Sequence, residues 1–400
     1  MAACTYELPA VNTNKNQKAD AEMIRILFYR VIVTALLSFW SHAAFAASDS
    51  AITCAIRWDA WYTNGPNDPG HYTAVALSKP EWRARAPLHA QFDSSGKITW
   101  APSQATFDAE IRAAHGANFC WAYLVYGKNH MIDLENSMMK GLAFHRSSAI
   151  KSEVKYALMT QATLLGVENN YNDAVNATIQ LMRDDNYQHI SLQGASRPLL
   201  FFFYDPGDVN AAFGGSLEKL KKPIDSIRKT SIEQGLGNPY IVVLAGPAAK
   251  AEAVRKALGA DAVSQYIAGN RNGHVMSWAQ FEPTIEADWN HYAAATSADV
   301  VPTLRSGADI RARCQTSPPF DHRFPPNDKC ENYTVNPTNE ELKAEFKDAL
   351  LWIERHREKD PTRLLLVYAW SECDESGNCL MPTYGDPTGQ KLLAISEVLH

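Results

Sequence analysis

From Ser50 onward the chain alternates two patterns almost to its last residue. Short runs rich in Val, Ile, Leu, Phe and Tyr predict strands, and longer stretches with apolar positions three to four apart predict helices. Strands are expected at Ile52–Tyr62, Asn118–Tyr126, Val154–Thr160, Pro198–Tyr204, Tyr240–Leu244, Ala262–Ile267, Val300–Leu304 and Leu364–Trp370. Helices are expected at Gln104–His115, Asp133–Ala149, Asn172–Asp185, Ser216–Gln234, Ala248–Leu258, Trp278–Ala294 and Glu340–His356. The strand runs are continuously apolar, as strands covered on both faces are, and the alternation itself is that of a parallel sheet. Eight such units predict an α/β fold: a single-domain (β/α)8 TIM barrel, with a doubly wound open sheet as the alternative. No G-x-G-x-x-G or Walker A sequence opens a helix, which removes the commonest nucleotide-binding reason for an open sheet. Two inserts rich in Pro, Gly and Asx, Thr63–Pro102 after strand one and Ser306–Pro337 after strand seven, fall on the catalytic face of such a barrel.

Residues 1–46 stand outside this pattern. Met23 is followed by a basic stretch with Arg25 and Arg30, an apolar run Val31–Trp40 and Ala44-Phe45-Ala46, the order of a secretory signal peptide. The expectation is cleavage after Ala46 or Ala47, translation beginning at Met23, and a barrel domain over residues 47–400. The apolar run is about half of the roughly 20 residues a membrane span requires. A secreted or periplasmic monomer is expected, with no membrane attachment once the leader is removed.

Composition narrows the partner. Hydrophobic residues make up 46% and charged residues 20%, a packed globular balance, and the net charge of −6 gives no basic field for nucleic acid. Ten Trp and 16 Tyr suit stacking against sugar rings. Cys4 leaves with the leader, and the remaining six cysteines, an even number in an oxidising compartment, predict disulfides. Spacing favours Cys373 with Cys379 and Cys314 with Cys330, leaving Cys54 for Cys120. C-x-x-C, H-x-x-x-H and H-E-x-x-H are all absent, so neither a metal nor another cofactor is expected.

In a barrel the chemistry gathers past the C-terminal ends of the strands. There the sequence places Trp58, Asp59 and Trp61 after strand one, Tyr126 after strand two, and Tyr204 and Asp205 after strand four. Gln265 and Tyr266 follow in strand six, Asp309 and Arg311 after strand seven, and Trp370 at the end of strand eight. Aromatic faces beside carboxylates are what a carbohydrate requires, so all are candidate substrate contacts. Tyr126 and Tyr204 suit packing as well as stacking, and Asp205 before Pro206 suits a turn. The sharpest signal is Glu372, Asp374 and Glu375 within four residues, after an apolar strand and beside an expected Cys373–Cys379 clip. Glycoside cleavage needs one protonated and one ionised carboxyl, and neighbouring carboxylates raise each other's pKa.

Trp370-Ser371-Glu372-Cys373-Asp374-Glu375-Ser376 resembles the W-N-E-W-x-E-G segment of glycoside hydrolase family 99-like barrels of the WbsX type. Ser306-Gly307-Ala308-Asp309-Ile310-Arg311-Ala312-Arg313 is similar to their G-W-D-x-R-P-R segment, Pro318-Pro319-Phe320 to a P-x-P-W-like stretch, and Cys379-Leu380-Met381-Pro382-Thr383 to their L-x-P-T tail. Ser371, Cys373, Ser376 and Ala308 depart from the family residues. The resemblance implies a glycoside hydrolase acting on a polysaccharide or oligosaccharide, and the expected leader implies that it is exported. The resemblance also implies Glu372 as the base acting on the sugar 2-hydroxyl and Glu375 as the acid protonating the leaving oxygen. A non-catalytic glycan-binding barrel and a polysaccharide-processing protein of the WbsX type are the other readings.

Overall fold

The computed structural model describes residues 51–60, 65, 66, 68–269, 273–321, 323, 324 and 328–399. The expected leader and Trp61 lie outside the described residues. Eight strand positions are filled in chain order: β1 (Ile52–Arg57), β2 (Phe119–Leu124), β3 (Tyr156–Gln161), β4 (Ala195–Phe203), β5 (Tyr240–Leu244), β6 (Ala262–Ser264), β7 (Asp299–Val300 and Thr303–Arg305) and β8 (Leu364–Tyr368). Each pairs in parallel with its sequence neighbour, and β1 pairs with β8. The two pieces of β7 close the ring. Asp299–Val300 pairs with β6 and Thr303–Arg305 with β8, while between them Val301 donates its N–H to Val263 O at 2.9 Å and Pro302 O accepts Leu366 N–H at 3.0 Å. Two residues of one extended segment thus bridge both edges of the sheet, and the fold is a (β/α)8 barrel.

The period of two along each strand sorts its side chains into two layers. Cys54 and Ile56, Cys120 and Ala122, Ala157 and Met159, Leu199 and Phe201, Tyr240 and Val242, and Leu366 and Tyr368 form one apolar cluster inside the barrel. The alternate residues, such as Trp121, Leu158, Phe202, Val243 and Val367, pack outward under the helices. Burial on both faces is why the strands read as unbroken apolar runs.

The helices are α1 (Pro69–Ser78), α2 (Gln104–Gly116), α3 (Lys140–Ser147), α4 (Asn172–Met182), α5 (Pro206–Phe213), α6 (Leu217–Glu233), α7 (Ala248–Leu258), α8 (Trp278–Ala295), α9 (Arg311–Cys314), α10 (Asn339–Arg355) and α11 (Gln390–Leu399). Capping boxes at Ser103, Ser277 and Thr338 start α2, α8 and α10. The expected helix Asp133–Ala149 shortens to α3, because Asp133 and Asn136 turn their side chains onto the backbone N–H groups of Glu135 and Met138. A further strand, His189–Leu192, joins β4 as an antiparallel hairpin through Gln193 and Gly194. Both connecting residues have positive φ, the geometry a two-residue hairpin demands. Disulfides join Cys54 to Cys120 across directly opposed positions of β1 and β2, Cys314 to Cys330 within the second insert, and Cys373 to Cys379 after β8. Among the described residues no helix is long and apolar enough to cross a membrane.

Candidate active site

The chain leaves β8 and folds into a single turn in which Glu372 O accepts the N–H groups of Glu375 at 3.0 Å and Ser376 at 2.8 Å. Residues three apart share one face of such a turn, so the E-x-x-E spacing sets both glutamates side by side. Glu372 has φ +35°, a strained value for a residue with a side chain. Two devices hold the turn. The Cys373–Cys379 disulfide clips its base, and Ser371 exchanges two hydrogen bonds with the main chain of Trp58, accepting its N–H at 2.8 Å and donating to its O at 3.0 Å. This second bond pair is also why β1 ends at Arg57 and not at Tyr62.

Both glutamates are 4% exposed, yet their surroundings differ. Glu372 accepts a hydrogen bond from the Tyr266 hydroxyl at 3.1 Å. Burial, and then the charge of Glu375, push its carboxyl up to about 8, against the pull of Arg313 and the Tyr266 bond. Burial would also raise Glu375, but Arg323 and Arg313 overcome it and hold the carboxyl down at about 2. Arg323 Nη1 lies 2.7 Å from Glu375 Oε1 and Arg313 Nη1 lies 3.1 Å from Oε2. The two carboxyls are therefore biased in opposite directions, Glu372 toward the protonated form and Glu375 toward the ionised form.

Arg313 organises the cluster. Fully enclosed, it makes a bidentate pair with Asp374 at 2.6 and 3.0 Å, reaches Glu375, and lies 5.0 Å from the Trp58 ring. Asp374 is thereby spent on Arg313, and Asp321 on Arg323 at 2.5 and 2.7 Å. Arg311 and Arg313 stand two apart in α9 and so point to different sides of the short helix. Arg313 faces the glutamates, whereas Arg311 pairs with Asp309 at 2.7 Å and covers the Tyr333 ring at 3.7 Å.

Of the expected contacts, the structure gathers Trp58, Tyr126 and Tyr266 around Glu372 and Glu375. Trp58 Nε1 donates to the Tyr126 hydroxyl at 2.5 Å, and Tyr266 packs between Phe203 and Tyr368 at ring distances of 5.0 and 5.3 Å. The others are placed elsewhere. Asp59 turns behind β1 to Arg57 at 3.0 Å, packed so tightly on Gly141 that a Cβ there would strike its carboxylate. Trp370 enters the same buried layer, donating to Glu110 Oε2 at 3.1 Å and packing on Trp121. Asp205 caps α5 through the N–H groups of Gly207 and Asp208, Tyr204 lies under Lys250, and Gln265 donates to Asp288. Asp309 is held by Arg85 and Arg311. A cavity of about 430 Å³ opens beside that pair, lined by Glu81, Trp82, Arg85, Asn378 and Lys391 among others, and Glu372 and Glu375 are not part of its wall.

Arg313, Arg323 and Tyr368 are not among the expected contacts, yet all three stand at the glutamates. Tyr368 was within reach: it continues the inward row Leu364, Leu366, and so stands at the barrel mouth. The two arginines come from the insert after β7, whose path no local pattern dictates. Among the described residues, the cluster spaced for a metal ion is Cys314, Asp328 and Cys330, and both sulfurs there are spent on a disulfide.

Two structures of a GH99 endo-alpha-mannosidase from Bacteroides thetaiotaomicron superpose on this chain with a TM-score of 0.51 at 13% identity, one covering 87% of this chain and 94% of its own, the other 86% and 95%. The likeness is one of fold. A glycoside hydrolase family 18 N-acetylglucosaminidase from Paenibacillus barengoltzii follows at a TM-score of 0.36 and 9% identity, covering 71% of this chain and 94% of its own, too distant to carry an argument. No family model matches the sequence, and no curated protein does.

Proposed function

We propose that this chain is an exported glycoside hydrolase that cleaves an O-glycosidic bond in a polysaccharide or oligosaccharide with Glu372 and Glu375. The observation that carries the proposal is the pair itself. Two carboxyls share one face of a strained turn at the mouth of a closed barrel, and their neighbours split them into one protonated and one ionised group. In this reading Glu372 gives its proton to the departing oxygen as the bond to the sugar carbon breaks. Glu375, ionised, faces the positive charge that grows on the ring. Water then supplies hydroxyl to the sugar and a proton to Glu372, which restores the starting state.

The superposed mannosidase makes α-mannan the first substrate to test, within a panel of neutral polysaccharides. Reducing-end release by the purified chain, lost in Glu372→Gln, is the expected result; release that survives the substitution would move the chemistry away from this turn. Three disulfides support export. A second reading, a glycan-binding barrel without catalysis, draws on the two ion pairs that occupy Glu375. It predicts binding of the same glycans with no new reducing ends.

A further inference from the structure

Beside the glutamates a run of aromatic rings leads outward. Trp58, bonded to Tyr126 at its inner edge, meets Phe320 of the second insert at a ring distance of 6.1 Å. Phe320 meets Tyr72 of α1 edge-on at 5.8 Å, and Tyr72 meets His71 at 5.3 Å. Burial is uneven along the run, and Phe320 is its most open ring. Trp58 is 6% exposed, Tyr72 is half-buried, and Phe320 is 42% exposed.

Phe320 has no packing reason to be so open. A phenyl ring of this size prefers the core, and burying one stabilises by about 1.5–3 kcal/mol. Here the neighbours instead brace the ring: Trp58 and Tyr72 meet it tilted and edge-on, and the Arg313 guanidinium lies 5.8 Å from its centre. An aromatic ring fixed in orientation yet open to water offers a flat apolar face at little entropic cost on binding. The occupant is set by continuity with the glutamates, since Trp58 and Arg313 touch both Phe320 and the cluster that holds Glu375.

We propose that Phe320, braced by Tyr72, is a stacking platform for a sugar ring of the substrate lying beyond the bond held by Glu372 and Glu375. The inference rests on the glycan reading above and deepens it: the preferred ligand is an oligosaccharide long enough to occupy both places, and the platform selects for chain length. Sugars present an apolar C–H face that stacks on such a ring, while their hydroxyls stay in water at the rim.

The test is isothermal titration of the full chain with manno-, gluco-, xylo- and chito-oligosaccharides of two and of six sugars. The expected result is that the hexasaccharide of one series binds more tightly than its disaccharide. Phe320→Ala should weaken that hexasaccharide about tenfold, the range of one well-placed aromatic contact, leave the disaccharide unchanged, and be rescued by Phe320→Trp. A melting temperature equal to that of the unaltered chain checks that the substitution leaves the fold intact. If Phe320→Ala weakens both lengths equally, or neither, the platform is overturned and the glycan reading stands. If the unaltered chain binds no member of the panel, the glycan reading falls, and the platform with it.

Discussion

Replacing Glu372 by Gln separates chemistry from stability, because the two respond in opposite directions. The amide keeps the size of the carboxyl and can still accept the Tyr266 hydrogen bond, but it has no proton to give. Loss of general acid help should lower kcat by about two to four orders of magnitude. Stability should move the other way. The folded chain holds the Glu372 proton up to about pH 8, whereas the unfolded chain releases it near 4.5. Between those values the folded state binds one proton more, so stability is fully present below pH 4.5 and is lost as pH rises through 8. The loss is at most about 1.4 kcal/mol per pH unit within that window. Gln removes that slope. Urea unfolding at pH 5 and pH 8.5 should therefore show Glu372→Gln gaining on the unaltered chain as pH rises, while reducing-end assays show activity falling. The activity of the unaltered chain should also decline above about pH 8. Equal pH dependence of stability in both proteins would refute the assignment of the buried proton to Glu372. An activity loss accompanied by unfolding would refute the chemical role.

Arg323→Gln removes the first of the two charges that hold Glu375 near 2, so the acid limb of kcat/KM should move upward; a limb that stays in place would show that another group sets it. Asp59→Asn should cost about 2 kcal/mol in urea unfolding, because Arg57 retains Glu110 but loses its second buried partner. KM should be unchanged, and a rise in KM alone would return Asp59 to the substrate. Removing the Cys54–Cys120 disulfide by paired Ser substitution should cost about 4 kcal/mol and removing Cys373–Cys379 about 2 kcal/mol, since the first closes a far longer loop. Calorimetry of the two double variants checks that order.

The barrel was legible because its strands are buried twice. Runs such as Tyr240–Leu244 are unbroken by polar residues, and their regular spacing leaves few topologies. The ends of elements were harder to place. Ser371 cuts β1 short by bonding to Trp58 from 313 positions away, a distance no local pattern carries. The glutamates were legible as a pair, because E-x-x-E after an apolar strand needs only one turn to become a shared face. The surroundings of the pair were not. Asp59 and Trp370 sit at strand ends, as substrate contacts would, but β1 and β8 turn them outward, where Arg57 and Glu110 claim them. Charge pairs buried behind a sheet look the same in sequence as charges in front of it.

This difference between scaffold and site has a physical origin. The barrel supplies the turn after β8, and on its own that turn would hold two buried carboxylates that neither solvent nor a cation relieves. Both would then be pushed toward the neutral form, and the pair could not act as acid and anion together. The split comes from outside the barrel, from Arg313 and Arg323 on the insert that the Cys314–Cys330 disulfide staples. The insert places both guanidiniums against Glu375. Among the described residues, the direct partner of Glu372 in the same space is the Tyr266 hydroxyl. The fold therefore decides where two glutamates meet, and the insert after β7 biases which of them is held ionised. The insert is itself bonded to the end of β8 and to the turn, through Ser306 to Tyr368 O and Arg313 to Asp374 O, so the guanidiniums and the carboxyls they bias are held in one piece.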